Sequence, residues 1–330
     1  MKDKVLIVGH GLAGAMLAQV FIQHGVRVDV SEANLPYCAS SVAAGLVNPL
    51  IGPKLNPPVD IDHCLDEIMS LNKRFHLKCG DKFYEELTLH RVFRNQKQAD
   101  IWNSSEGRLS KFQIKGVPLL SHDLKVEAPY GLVQTKCLRL NVTKFLEFSK
   151  QSLIESGNWN QQKFDHSEKT LSKVIFCEGF RVSSNPWFSH LPFAPVRGET
   201  LRIKQFLPNA TSNGTWAIPE NRESFLAGST WDHKKLESGP TKKGKESILS
   251  DLNYLNLNQL FVEEQMSGVR SGTLDRNPII GKHPKNPNLF IFNGFGSRGA
   301  TTIPLYAKML LEFILEGKPI PSHLDVRRFS

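Results

Sequence analysis

The chain has 330 residues, 40% hydrophobic and 22% charged, enough to bury a sizeable core in one large domain or two intertwined ones. No apolar run is as long as a membrane span, and the five cysteines are scattered, odd in number and without a CxxC pair, which argues against a disulfide framework and a zinc site. The net charge of +9 fits anionic substrates, a polyanionic partner or simply a basic, soluble surface.

The N-terminal apolar stretch holds three glycines and runs straight into patterned sequence, so it is no secretory leader. A cytoplasmic location, reduced thiols and no membrane partner are expected. Val5-Leu6-Ile7-Val8 is a short apolar run suited to a strand buried on both faces. Residues 12–24 carry apolar side chains at helical spacing, and Gly25 stops that helix. Val26, Val28 and Val30 then alternate in a second strand that ends at Glu32.

Here the chain leaves the regular βα succession of a simple nicotinamide enzyme. A small-residue loop at 39–45 leads into a proline-rich stretch at 48–58 and a helix at about 60–78. Residues 79–135 alternate short strands with loops. A helix at 142–156 is capped by Asn141 and ended by Gly157. A buried strand at 174–177 stops at Gly179, and 194–232 are rich in strand formers and turn signals. A polar helix covers about 242–256. The chain closes with a strand at 288–293 and a helix at 303–315, ended by Gly317 and Pro319. Parallel βα pieces therefore sit at the start, middle and end, with antiparallel-looking pieces between them. This predicts a discontinuous nucleotide-binding domain (1–78, 136–190 and 265–330) into which a second domain (79–135 and 191–264) is inserted twice.

Gly9-His10-Gly11-Leu12-Ala13-Gly14 fits GxGxxG between a strand and a helix, with Glu32 at the end of the next strand. Gly9 permits the tight turn, Gly11 lets the backbone approach a pyrophosphate, and Gly14 lets helix and strand pack closely. The helix start offers unpaired N–H groups to phosphates. Glu32 suits a ribose diol and repels a 2′-phosphate, which disfavours NADP. His10 is bulky for its slot and is expected to point away from the ligand. A second such turn, Gly294-Phe295-Gly296-Ser297-Arg298-Gly299, again lies between strand and helix. Too little chain follows it for another βα step, so it is expected to face a different part of the same ligand.

These two turns, the Ser40-Ser41…Ala44-Gly45 loop and Arg270…Pro278…Gly281 occur in an order that resembles the FAD-dependent D-amino-acid-oxidase superfamily, which includes glycine oxidase and sarcosine oxidase. Gly268 to Thr273, with Asp275 and Pro278-Ile279-Ile280-Gly281, is similar to the glycine oxidase pattern. Residues 216–232 and Gly296-Ser297-Arg298-Gly299 look like the FAD domain of the wobble-uridine tRNA-modification enzyme MnmC. The resemblance implies an α/β and α+β fold of p-hydroxybenzoate-hydroxylase-like layout. A Rossmann-like FAD domain would carry a substrate domain whose mixed or antiparallel sheet covers the flavin. It also implies that Ser40, Ser41, Ala44 and Gly45 pass beside the flavin and that Gly179 lies near the adenosine. No cysteine matches the covalent attachment seen in sarcosine oxidase, so FAD is expected to be non-covalent.

In such an enzyme the second helix start would serve the pyrimidine edge of the isoalloxazine, where reduction places negative charge. The flavin carries the difficult chemistry, so no paired carboxylates or Ser/His/Asp set are needed. Arg270 is the candidate to grip a substrate carboxylate, as the matching arginine of the family does. Arg298 is a candidate for holding substrate or steadying anionic flavin, and Trp216 and Trp231 for walling the pocket, with core packing the alternative for each tryptophan. Arg197 is a weaker candidate. The expected activity is oxidation of an amino acid or N-substituted glycine at a carbon–nitrogen bond. The same chemistry on a carboxymethylaminomethyl group of tRNA, a dehydrogenase with another acceptor, and a non-catalytic FAD-binding module remain open.

Overall fold

The three-dimensional structure is a computed structural model that describes residues 4–105, 109–114, 126–167, 172–257 and 259–329. Part of the stretch expected to alternate strands and loops, at 106–108 and 115–125, lies outside the described residues. The chain opens with β1 (Val5–Val8), α1 (Leu12–Gln23), β2 (Val28–Ser31), β3 (Leu46–Val47), α2 (Ile61–Cys79), β4 (Tyr84–Val92) and α3 (Gln96–Ser104). There follow β5 (Leu132–Leu140), α4 (Val142–Glu155), β6 (Trp159–Asn160), β7 (Lys173–Phe176), β8 (Val196–Ile203), β9 (Ala210–Ser212), β10 (Trp216–Pro219) and β11 (Phe225–Gly228). The last elements are α5 (Lys242–Asp251), β12 (Val262–Arg270), β13 (Ile279–Lys282), β14 (Leu289–Asn293) and α6 (Gly299–Glu316).

Among the described residues, six strands form one sheet in the order β13-β14-β7-β1-β2-β6. Its pairs are parallel except β13 with β14. Strand periodicity divides β1 between two cores. Val5 and Ile7 join a core built with α1, α2, α4 and α6, whereas Leu6 and Val8 face a second cluster around Phe176 and Phe188. Val5 and Ile7, fully buried, each contribute about 1.5–3 kcal/mol.

Among the described residues, eight strands form a second sheet in the order β12-β8-β11-β10-β9-β4-β5-β3. It is antiparallel except where β4 meets β9. Leu201, Ala217 and Ala227 turn one face toward Ile248 of α5 and Leu252 at its end. Thr200, Gly228, Trp216, Ser212 and Arg91 are register partners across β8, β11, β10, β9 and β4, so they share the opposite face.

Several elements differ from expectation. The strands through 136–140 and 265–270, assigned from sequence to the first domain, pair within the second sheet as parts of β5 and β12. A helix, α3, stands where only strands and loops were predicted; the Asn95 side chain caps it by accepting from Gln98 N. The polar helix stops at Asp251, and a separate 3-10 turn follows at Asn253–Leu255. The last helix starts at Gly299 rather than 303, with Pro304 inside it. Pro304 has no N–H for the carbonyl of Ala300, and Tyr84 Oη donates to that carbonyl instead, at 3.0 Å.

Candidate active site

A cavity of about 1070 Å³ lies between the carboxyl ends of the parallel strands and the free face of the eight-stranded sheet. That is where open α/β sheets bind ligands. It is as large as the upper end of the roughly 300–1,000 Å³ that ligand pockets occupy.

The N-terminal turn forms its floor. Gly9 sits at φ +97°, and a Cβ there would fall 2.6 Å from the carbonyl oxygen of Cys177. A Cβ on Gly14 would fall 1.9 Å from the Gly9 carbonyl, so this glycine serves the packing of α1 on β1 and does not line the cavity. Gly9, Gly11, Leu12 and Ala13 do line it. Leu12 N donates to Ser40 Oγ at 2.8 Å. Glu32 lines the cavity and accepts from the backbone N–H groups of His10 and Asn34. Its remaining lone pairs are free for a diol. His10 points away as expected: its ring is buried, meets Ser149 Oγ at 3.0 Å and stands edge-on to Trp159. Burial, and then the Lys150 charge, push its pKa down to about 4.

The other predicted cofactor residues gather around the same space. Ser40, Ala44 and Gly45 line it, whereas Ser41 turns its hydroxyl to the Cys38 carbonyl at 2.8 Å. Gly45 (φ +71°) lies against the end of β5, where a Cβ would fall 1.9 Å from the Leu140 carbonyl. Gly179 lines the cavity beside Glu178, whose carboxyl is raised by burial and accepts from Asn185 Nδ2 at 2.7 Å. Phe295, Gly296, Ser297, Arg298 and Gly299 line it at the start of α6. Gly294 stands behind them, its left-handed turn packed on Thr273. A Cβ on Gly299 would lie 3.8 Å from Leu12 Cδ2, so the starts of α1 and α6 converge. Neither helix has an acidic residue in its first turn, and both leave orphan N–H groups for an anionic ligand. Two such helix starts and a diol-accepting Glu32 fit a dinucleotide.

The sheet face supplies the opposite wall. Arg270 is largely buried at the end of β12; Nη2 donates to Ser229 Oγ at 2.6 Å and Nη1 to the Thr230 carbonyl at 3.3 Å. Its guanidinium stacks 4.7 Å over Trp231, and burial pushes its pKa down to about 10. Among the described residues no carboxylate pairs with it. Trp216 lines the wall beside Thr200, whose hydroxyl is buried without a partner. Trp231 is 60% exposed, so it forms the rim and is no core residue. Arg298 lies at the cavity and donates to the Arg276 carbonyl. Arg197 is buried but committed to Asp232 at 3.0 Å and Glu199 at 3.2 Å, and it does not line the cavity.

Sequence reasoning missed Arg91 and Arg94, which line the far end. The strand of Arg91 alternates without a clean apolar period, only pairing with β9, about 120 residues away, shows which face Arg91 takes, and Arg94 follows in the connection to α3. Among the described lining residues the carboxylates are Glu32 and Glu178, both on the six-stranded-sheet side. The half facing the second sheet carries Arg91, Arg94 and Arg270 and no acid. No cluster of metal-binding type and no helix able to cross a membrane occur among the described residues.

The chain is 24% identical over 359 residues to glycine oxidase of Pseudomonas aeruginosa, covering 97% of each. It is 24% identical over 365 residues to the bifunctional tRNA 5-methylaminomethyl-2-thiouridine biosynthesis protein MnmC of Marinobacter nauticus. That match covers 98% of this chain and 57% of the relative, so the chain spans little more than half the length of the MnmC protein. The crystal structure of glycine oxidase from Bacillus cereus superposes with a TM-score of 0.80 at 19% identity, covering 98% of this chain and 97% of that one, which establishes the shared fold. Residues 4–313 match the family model DAO, described as FAD dependent oxidoreductase. The two-sheet layout, the paired glycine turns and that match together show that the chain belongs to the DAO family of FAD-dependent oxidoreductases.

Proposed function

We propose that this chain oxidises a carbon–nitrogen bond of an amino acid or N-substituted glycine. FAD, when bound, takes up the hydride from the carbon beside the amine. The supporting observation is Arg270: a largely buried guanidinium facing the cavity with no described carboxylate partner, so a substrate carboxylate supplies the missing charge. Trp216 and the Gly198–Thr200 stretch of β8 offer a wall that positions the reacting carbon and excludes water. Among the described residues that wall carries no carboxylate to take the amine proton, so the amine reacts in its neutral form, and the surrounding arginines lower its pKa.

Two helix starts, Glu32 and the Gly9 turn would hold FAD. We propose that it is held without a covalent bond: the Cys177 thiol is buried and pushed well above its usual pKa, and Cys38 Sγ lies beside Gly11 at the N-terminal turn. Oxygen as the acceptor would yield peroxide and an imine that hydrolyses. Turnover of short amino acids and N-substituted glycines should produce peroxide and fall at least about 100-fold in R270A, on the scale of a lost charge-assisted contact. Oxidation without peroxide would point to a dehydrogenase; an R270A variant as active as the parent would sink the substrate clamp.

The same chemistry on a tRNA-borne carboxymethylaminomethyl group is the second reading, favoured by the match to MnmC across 98% of this chain and by the net charge of +9. RNA retention falling steeply with salt would support it, and salt-insensitive turnover of free amino acids with no RNA retention would exclude it.

A further inference from the structure

We infer that the substrate carries a second anion, held at the far end of the cavity by Arg91 and Arg94. This rests on the amine-oxidation reading and extends it to the substrate's other end.

Arg91 is 4% exposed on β4. Its Nη1 lies 3.5 Å from Ser212 Oγ, the limit of a hydrogen bond, and its Nε is buried with no acceptor. No described carboxylate pairs with it, and its charged neighbour is a second cation, Arg94. Arg197 is equally buried but rests on Glu199 and Asp232. An uncompensated buried charge costs several kcal/mol, so a guanidinium kept in this state calls for an anion.

The surroundings agree. The Arg94 guanidinium lies against Gly214, where a Cβ would fall 2.7 Å from Cζ, and its Nε donates to the Asn213 carbonyl. The start of α3 follows directly, without an acidic residue in its first turn, and Asn95 and Gln98 line the same wall.

The two cationic ends belong to one face of one sheet. The Arg270 guanidinium lies over Gly198 on β8, and that of Arg91 reaches toward Ser212 on β9. β8 and β9 are separated by β11 and β10. Ser212 is in register with Thr200, two residues along β8 from Gly198, so three inter-strand steps and that offset place the two cations on the order of 16 Å apart. Allowing for contact distances, the two anions of the substrate stand about 10 Å from each other. The substrate is therefore an elongated amine, with a carboxylate beside the nitrogen and a carboxylate or phosphate ester at the other end. Trp216 lies between the ends, on β10.

The test is calorimetric binding to the FAD-loaded protein of carboxymethyl thioethers, in which sulfur replaces the reactive nitrogen. Their tails end in methyl, carboxylate or phosphomonoester about 10 Å from the first carboxylate. Either anionic tail should bind at least about tenfold tighter than the methyl tail, and R91M should bring that ratio near one. A preference for phosphate or for carboxylate names the source, and both support the site. R94Q, at an exposed position, should lose part of the ratio, and it carries the test should R91M fail to load FAD. Equal binding of all three tails by the parent protein, or a ratio unchanged by R91M or, failing that, by R94Q, would overturn the proposal. Tight binding of an anionic tail together with no oxidation of the matching amine would count against the oxidation reading and still support the second anion.

Discussion

The guanidinium of Arg270 lies directly over Gly198, and a Cβ on Gly198 would fall 2.1 Å from Arg270 Nη2. The two residues sit on neighbouring strands, two register positions apart along β8 and β12. Glycine leaves the shelf on which the arginine lies flat. G198A should displace the guanidinium, because the far end of a flexible side chain yields before backbone does. We expect kcat/KM for carboxylate-bearing amines to fall about 10–100-fold, the scale of a charge-assisted hydrogen bond, with little change in Tm. Parallel steady-state kinetics and melting check this, and an unchanged kcat/KM would mean that Arg270 does not meet the substrate there.

Gly14 makes the opposite case, since its neighbour is backbone. A Cβ would fall 1.9 Å from the Gly9 carbonyl and 3.3 Å from Cys177 Cβ. Relief requires α1 to move off β1, which pulls the Ala13 N–H away from the cavity and strains the Leu12 N–H bond to Ser40 Oγ. G14A should fold poorly and, where soluble, hold less than about a tenth of the parent's FAD, as overpacking without a flexible neighbour costs several kcal/mol. Flavin released on denaturation measures it. Full FAD content with parental Tm would contradict the packing role.

His10 gives the fold an acid limit. Its folded pKa of about 4 lies below the ordinary 6.5, because burial and then Lys150 oppose the charged ring. The unfolded chain therefore binds the proton first as pH falls below about 6.5. Stability drops from there to about pH 4, by on the order of 3 kcal/mol. H10Q removes the titrating ring while keeping a group able to reach Ser149. Its Tm should fall less than the parent's between pH 7 and pH 5 in thermal melts; identical acid slopes would assign the loss to other groups.

Much of the nucleotide-binding half was legible because its signals are local. Val5 to Val8, the Gly9 turn, the Gly25 stop and Glu32 lie in one continuous stretch, and each is tied to the crossover it builds. The Asn141 cap and the Gly317 stop were legible for the same reason. The half built on the eight-stranded sheet is made by pairings between distant segments. Arg91 gains its meaning from Ser212, and Arg270 from Gly198 and Ser229. No local period shows which sheet β5 or β12 joins; only the pairings with β4 and β8 do. Tryptophan usually packs into cores, yet Trp231 stands at the rim as the surface on which Arg270 stacks.

Arg270 is proposed to hold a carboxylate next to the oxidised carbon. Anaerobic mixing of FAD-loaded protein with matched pairs of amines, one of each pair bearing the carboxylate and the other lacking it, tests this most directly through the visible flavin band. The carboxylate-bearing member should bleach the flavin at least about 100-fold faster, and R270A should erase that difference. Equal bleaching by both members, or a preference that survives in R270A, would contradict it.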